Sequence, residues 1–233
     1  MSQYPRYAIY FVPSADSALY RFGAGLIGYD AYSGQALPFA QDVETAIEGW
    51  KQLTADPRKY GFHATLKAPI TLAPGRTEDA LAEAMREFAL TPRAIPLITP
   101  IVRSISSFIA ITPDGPCPEL QTFAEECVTA FDSFRAPLTA ADRERRNVSA
   151  LTGRQVAYLD RWGYPYVFDE FHFHMTLAGS LPAERREPVT DALRRRFAAL
   201  NLKTVPIDRL ALLRQSDATS GFTVIAHWPL THK

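Results

Sequence analysis

Two phrases half a chain apart constrain this fold more than any other feature: YGFHATLKAP at residues 60–69 and EFHFHMTLAG at residues 170–179. Each interleaves apolar residues with polar ones. The apolar set is Phe62, Ala64 and Leu66 in the first phrase and Phe173, Met175 and Leu177 in the second. Side chains alternate faces along a strand, so each phrase predicts a strand with one oily face and one polar face. His63, Thr65 and Lys67 share the polar face of the first; His172, His174 and Thr176 share that of the second. The two His-x-Thr histidines lie 174 minus 63, or 111, positions apart in a chain of 233.

The elements around the phrases repeat as well. YAIYFVP reads as a strand ending at Pro13, and SADSALYRF as the start of a short helix capped by Ser14 or Asp16. After the first phrase, Thr77 caps a helix with Glu78 and Asp79 in its first turn, where they suit the dipole. Leu81, Met85 and Phe88 form its apolar stripe. AIPLITPIVRSISSFIAITP follows as a proline-interrupted edge hairpin.

In the second half, PELQTFAEECVTAFDSF predicts a helix burying Leu120, Phe123, Ala124, Cys127, Phe131 and Phe134. EFHFHMTLAG is followed by a helix with Val189, Leu193, Phe197 and Leu200 inward and arginines outward. VPIDRLALLRQ and GFTVIAHWPL then form a hairpin through SDATSG. The order of histidine strand, helix and hairpin thus occurs twice, which an ancient duplication explains most economically. The expected organisation is one domain of two lobes, residues 1–115 and 116–233, that exchange strands. Residues 135–169 have no counterpart and read as an insertion: a surface elaboration, or a cover for a site, with Thr152 capping a short helix that places Val156 and Leu159 on one side.

Composition narrows the function classes. Lys+Arg and Asp+Glu are equal at 25 each, so no global field draws the chain to long nucleic acid or to anionic membranes. No uninterrupted apolar stretch is long enough to span a bilayer, and the N-terminal MSQYPRYAIYFVP carries no export-type cleavage site. A cytoplasmic monomer is expected. Cys117 and Cys127 have no metal-ligand spacing around them, and Cys127 reads as a small core residue. GAGLIG at residues 23–28 imitates the dinucleotide-binding glycine pattern. About ten residues separate it from the preceding strand and no helix follows, so it reads as a loop and no cofactor is expected.

The polar faces carry the chemistry. A neutral imidazole takes a proton from water, and an imidazolium across a phosphate gives one to the leaving oxygen. Histidine suits both tasks because its ordinary pKa is about 6.5. Thr65 and Thr176 can each donate a hydroxyl hydrogen bond to a non-bridging phosphate oxygen, and Lys67 can add positive charge for substrate. One such pattern alone would be a packing detail. Two copies, each preceded by Phe and followed by Leu, point to a site.

FHATLKAP with FHMTLAG resembles the paired His-x-Thr signature of the two-histidine (2H) phosphoesterase superfamily. RYAIYFVP, YGFHATLKAP and WGYPYVFDEFHFHMTLAG are closer still to an uncharacterised 2H subfamily often encoded beside phosphonate-utilisation genes. The resemblance implies an α+β fold of two pseudo-symmetric lobes, each an antiparallel sheet with helices on its outer face, enclosing a central cleft. It implies His63 and His174 as the acid–base pair and Thr65 and Thr176 as phosphate holders. The activity implied is metal-independent hydrolysis or transesterification of a small, cyclic phosphodiester, with a ribosyl cyclic phosphate or RNA 2′,3′-cyclic ends as candidates.

His172 departs from the signature; it either contacts substrate or lies at the solvent end of the strand. His63, His172 and His174 also make a three-histidine metal set, so a metal hydrolase is the alternative. A third reading is a non-catalytic module binding nucleotides or RNA ends, through the arginines of DRERRN and RREPVTDALRRR with Tyr164 and Tyr166.

Overall fold

A computed structural model describes residues 4–144, 146 and 148–233. Arg145 and Asn147 of DRERRN, and residues 1–3 of the N-terminal run, lie outside the described residues. Seven strands form the main sheet: β1 (Arg6–Phe11), β2 (Ala64–Ile70), β3 (Pro100–Ile105), β4 (Phe108–Pro113), β5 (Met175–Ala178), β6 (Arg209–Gln215) and β7 (Thr223–Pro229). Five longer helices accompany them: α1 (Ala18–Ile27), α2 (Glu78–Leu90), α3 (Pro118–Ala130), α4 (Gly153–Trp162) and α5 (Ala183–Ala198). The architecture is α+β, and every pairing in the main sheet is antiparallel.

The sheet order is β7-β6-β1-β2-β5-β4-β3. Its two halves meet between β2 and β5 through one registered pair, Ala64 with Met175. A pseudo-twofold axis passes there, because Ala64 and Met175 hold equivalent places in the two phrases. One unit runs β1-α1-β2-α2-β3 and the other β4-α3-β5-α5-β6, with β7 added at the end. Each unit sends its last strand across: β3 sits in the half-sheet of β5, and β6 in that of β2. The helices follow, α2 packing on β6 and β7 and α5 on β3 and β4. The two expected lobes are the halves of this antiparallel sheet, which narrows to a single registered pair at its centre.

The symmetry reaches single residues. Tyr10 pairs with Thr65 and Ile9 with Lys67, so Leu66 is an extra residue in β2. Ala110 pairs with Thr176 and Ile109 with Ala178, so Leu177 is the extra residue in β5. Both strands therefore carry a β-bulge on the leucine after the threonine. A bulge re-aims the side chains beyond it, which matters below for Lys67.

Three local expectations are corrected. The cap of α1 is Ser17, whose hydroxyl accepts from the Tyr20 amide; Ser14 and Asp16 lie outside it. GAGLIG is not a loop, because its first five residues are the last half of α1 and Gly28 ends it in the left-handed region at φ 72. A Cβ on Gly23 would stand 2.3 Å from the Phe62 ring, so this glycine lets the helix settle onto the residue beside His63. His172–His174 precede β5 rather than extending it, as His63 precedes β2. The other helices and hairpins lie where periodicity put them. Thr77 caps α2, the six apolar residues named for PELQTFAEECVTAFDSF are all buried, and Thr152 forms a capping box with Gln155. Among the described residues no helix is long and apolar enough to cross a membrane.

Candidate active site

Each histidine enters its strand with its ring bonded to the carbonyl two residues back. The His63 Nδ1–H donates to the Gly61 carbonyl at 2.8 Å, and the His174 Nδ1–H donates to the His172 carbonyl at 2.7 Å. A carbonyl only accepts, so both bonds place the neutral ring's proton on Nδ1 and leave Nε2 as the unprotonated nitrogen. Gly61 sits at φ 75, and a Cβ there would approach the Ala31 Cβ to 2.7 Å. That turn is thus closed to other residues.

His63, Thr65, His174 and Thr176 line one cleft of about 400 Å³. The Thr65 hydroxyl lies 3.3 Å from His63 Nε2. Burial in this cleft pushes the His63 pKa down to about 4; the Gly61 carbonyl opposes the shift, and neighbouring His174 adds to it. His174 is also lowered, first by burial, with the His172 carbonyl opposing and the His172 ring adding. Burial therefore favours the neutral form of both imidazoles, and an anion between them would favour their protonation.

Lys67 does not join this group. The bulge at Leu66 turns its side chain away, and its buried ammonium donates to the Val128 carbonyl at 2.9 Å and to Asp132 at 3.1 Å. Asp132 also takes Arg135 and Arg161, so the lysine is a strut between β2 and the insertion rather than a free cation. His172 is exposed, and its backbone rather than its ring serves His174. Among the described residues no group of three or more His, Cys, Asp or Glu is placed to hold a metal, so the donor set of the three-histidine alternative is not assembled.

Other residues join that the phrases did not reveal. Tyr10 stacks on His63 with ring centroids 3.8 Å apart and planes at 18°, and it pairs with Thr65 across the ladder. The signal in sequence was only an aromatic in a buried strand; the pairing of β1 with β2 makes it part of the site. Arg6, Arg135, Arg146 and Tyr164 also line the cleft, and the Arg146 guanidinium stands 5.0 Å over the Tyr164 ring. Arg135, Arg146 and Tyr164 thus bring part of the 135–169 segment to one wall of the cleft.

Known proteins place the chain further. It is 38% identical over 215 residues to a protein of Janthinobacterium sp. (strain Marseille) named ribose 1,5-bisphosphate phosphokinase PhnN, covering 90% of this chain and 47% of that one. A protein of the same name from Laribacter hongkongensis (strain HLHK9) is 31% identical over 182 residues, covering 76% and 40%. The chain thus spans about half the length of the curated relatives it matches or less. The crystal structure of E. coli LigT complexed with NADP+ aligns over 99% of this chain and 100% of its own, with a TM-score of 0.46 and 14% identity. A family model described as "Protein of unknown function (DUF1045)" matches residues 65–223, from Thr65 through the second His-x-Thr into the last hairpin, and the chain belongs to that family.

Proposed function

We propose that this protein is a metal-independent phosphoesterase that opens a small cyclic phosphodiester by acid–base catalysis between His63 and His174. The observation that carries the reading is the matched pair of imidazoles. Each has its Nδ1 held by the carbonyl two residues back, and both line one cleft with Thr65 and Thr176. The more strongly neutral ring, His63, is assigned as base: its Nε2 takes a proton from water as the water oxygen bonds to phosphorus. His174, protonated when the anionic substrate is bound, gives its Nε2 proton to the leaving alkoxide as the P–O bond breaks. Thr65 and Thr176 support the non-bridging oxygens, and Arg6, Arg135 and Arg146 supply positive charge on the cleft wall.

The relatives' name concerns a ribose bisphosphate. Together with the resemblance to a phosphonate-linked subfamily, it makes a ribosyl cyclic phosphate the first substrate to try, and phosphonate breakdown the setting. The test is a panel of cyclic phosphodiesters assayed with and without chelator. His63→Ala and His174→Ala should each lower turnover by about 100- to 10,000-fold, the range of a lost proton-transfer group, while a substrate analogue still binds. A stoichiometric metal ion whose removal abolishes turnover would overturn the reading.

A further inference from the structure

A second cavity, of about 510 Å³, opens on the far side of His174. Thr65, Tyr164 and His174 line both spaces, so the second cavity lies directly beside the candidate catalytic groups. Their walls differ in kind. The first carries Arg6, Arg135 and Arg146, whereas the second is walled by Ile105, Phe108, Trp162, Phe168 and Phe171. The two formal charges on its wall are engaged: Lys67 with Val128 and Asp132, and Glu170 as acceptor from the Gln155 amide at 2.9 Å. Neither offers a second anion a partner.

The aromatic wall is built rather than incidental. Phe168 is held in the left-handed region at φ 54, with its carbonyl accepting from Gln121. Its ring meets Trp162 at 5.1 Å and Tyr158 at 5.5 Å. Phe108 stands 5.4 Å from the His174 ring. An apolar space of this volume lies within the range of small-molecule sites, and water gains little there.

We propose that this cavity is a subsite for an uncharged planar ring attached to the phosphorus-bearing group of the ligand. A phosphate centred between the histidines would direct one substituent past His174 into it, while polar groups of the ligand face the arginines. The inference rests on the phosphoesterase reading for the position of the phosphate, but its test separates the two.

Phenylphosphonate and methylphosphonate carry the same anionic head, and neither is cleaved by a phosphodiesterase. Calorimetric titration should find phenylphosphonate tighter by about 10- to 50-fold, as expected for burying one ring. In Phe168→Ala the preference should fall below about threefold. Were this variant to melt early, the comparison on the unmodified protein would still decide. Equal affinity for the two phosphonates overturns the subsite. In parallel, methyl and phenyl p-nitrophenyl phosphate are assayed for turnover. A phenyl preference in binding, with turnover of neither diester and of no member of the cyclic phosphodiester panel, keeps the subsite and overturns the phosphoesterase reading. Turnover of both diesters with equal phosphonate binding does the reverse.

Discussion

The two halves of the cleft share a plan but not a backing. In both, a histidine bonds the carbonyl two residues back, a threonine follows, and a leucine bulges out of the ladder. The strand alongside then differs. Tyr10 faces Thr65 across the β1–β2 ladder and stacks under His63, whereas Ala110 faces Thr176 and only the edge of the site, at Phe108, approaches His174. Pseudo-symmetry thus repeats the His-x-Thr groups while leaving their surroundings free to diverge. Environment is what separates an acid from a base when both are the same residue. The tyrosine encloses His63, and that ring is the one whose pKa falls to about 4.

Removing the tyrosine is the strongest way to break this contrast. Tyr10→Ala should lower kcat on a cyclic phosphodiester by about 30- to 100-fold, since a misplaced base loses its alignment. Tyr10→Phe keeps the stack and should cost less than tenfold, since only the hydroxyl is lost. Equal and small effects of both variants would mean that the stack does not distinguish the halves.

Lys67 sharpens the comparison from behind the strand. Its counterpart in β5, Ala178, carries no charge, so only β2 is tied to the insertion through Asp132. Lys67→Met leaves Asp132 with Arg135 and Arg161, and should lower unfolding free energy by about 1–3 kcal/mol, measured by denaturant titration. Unchanged stability with a large rise in KM would instead return the lysine to substrate binding.

The smallest effect concerns pH. The folded-state pKa of His63 lies below its ordinary value, so the unfolded chain takes up this proton first as pH falls. The contribution is therefore intact above about 6.5 and is lost progressively toward about 4. His174 is lowered too and acts in the same direction. Melting temperature should drop between pH 7 and 4.5, and His63→Gln should recover a few degrees of that drop. A variant with the same acid sensitivity as the parent would show that the burial of this ring does not set it.

Much of this was legible in the sequence because it depends on local periodicity. Thr77 and Thr152 announce their helices, the apolar stripe of α3 is buried throughout, and both hairpins close at their polar turns. GAGLIG was misread because its glycines answer a tertiary demand, the approach of Phe62 to α1, and such a demand leaves no periodic trace. Lys67 was misplaced because strict alternation assumes an unbroken ladder, whereas a bulge depends on the neighbouring strand. Tyr10 joined the site for a similar reason, since strand neighbours 50 or more residues apart are chosen by the fold.

The sequence by itself determined two strands that each offer a histidine and a threonine on one face, and the helices that cover the other. Tertiary structure decided that Ala64 and Met175 meet, that the last strand of each unit crosses to the other lobe, and that Arg135, Arg146 and Tyr164 wall the cleft. Local side-chain pattern fixes which face of a strand is oily. Which strands share an edge, and hence which polar faces confront one another, is settled only when the whole core is buried together.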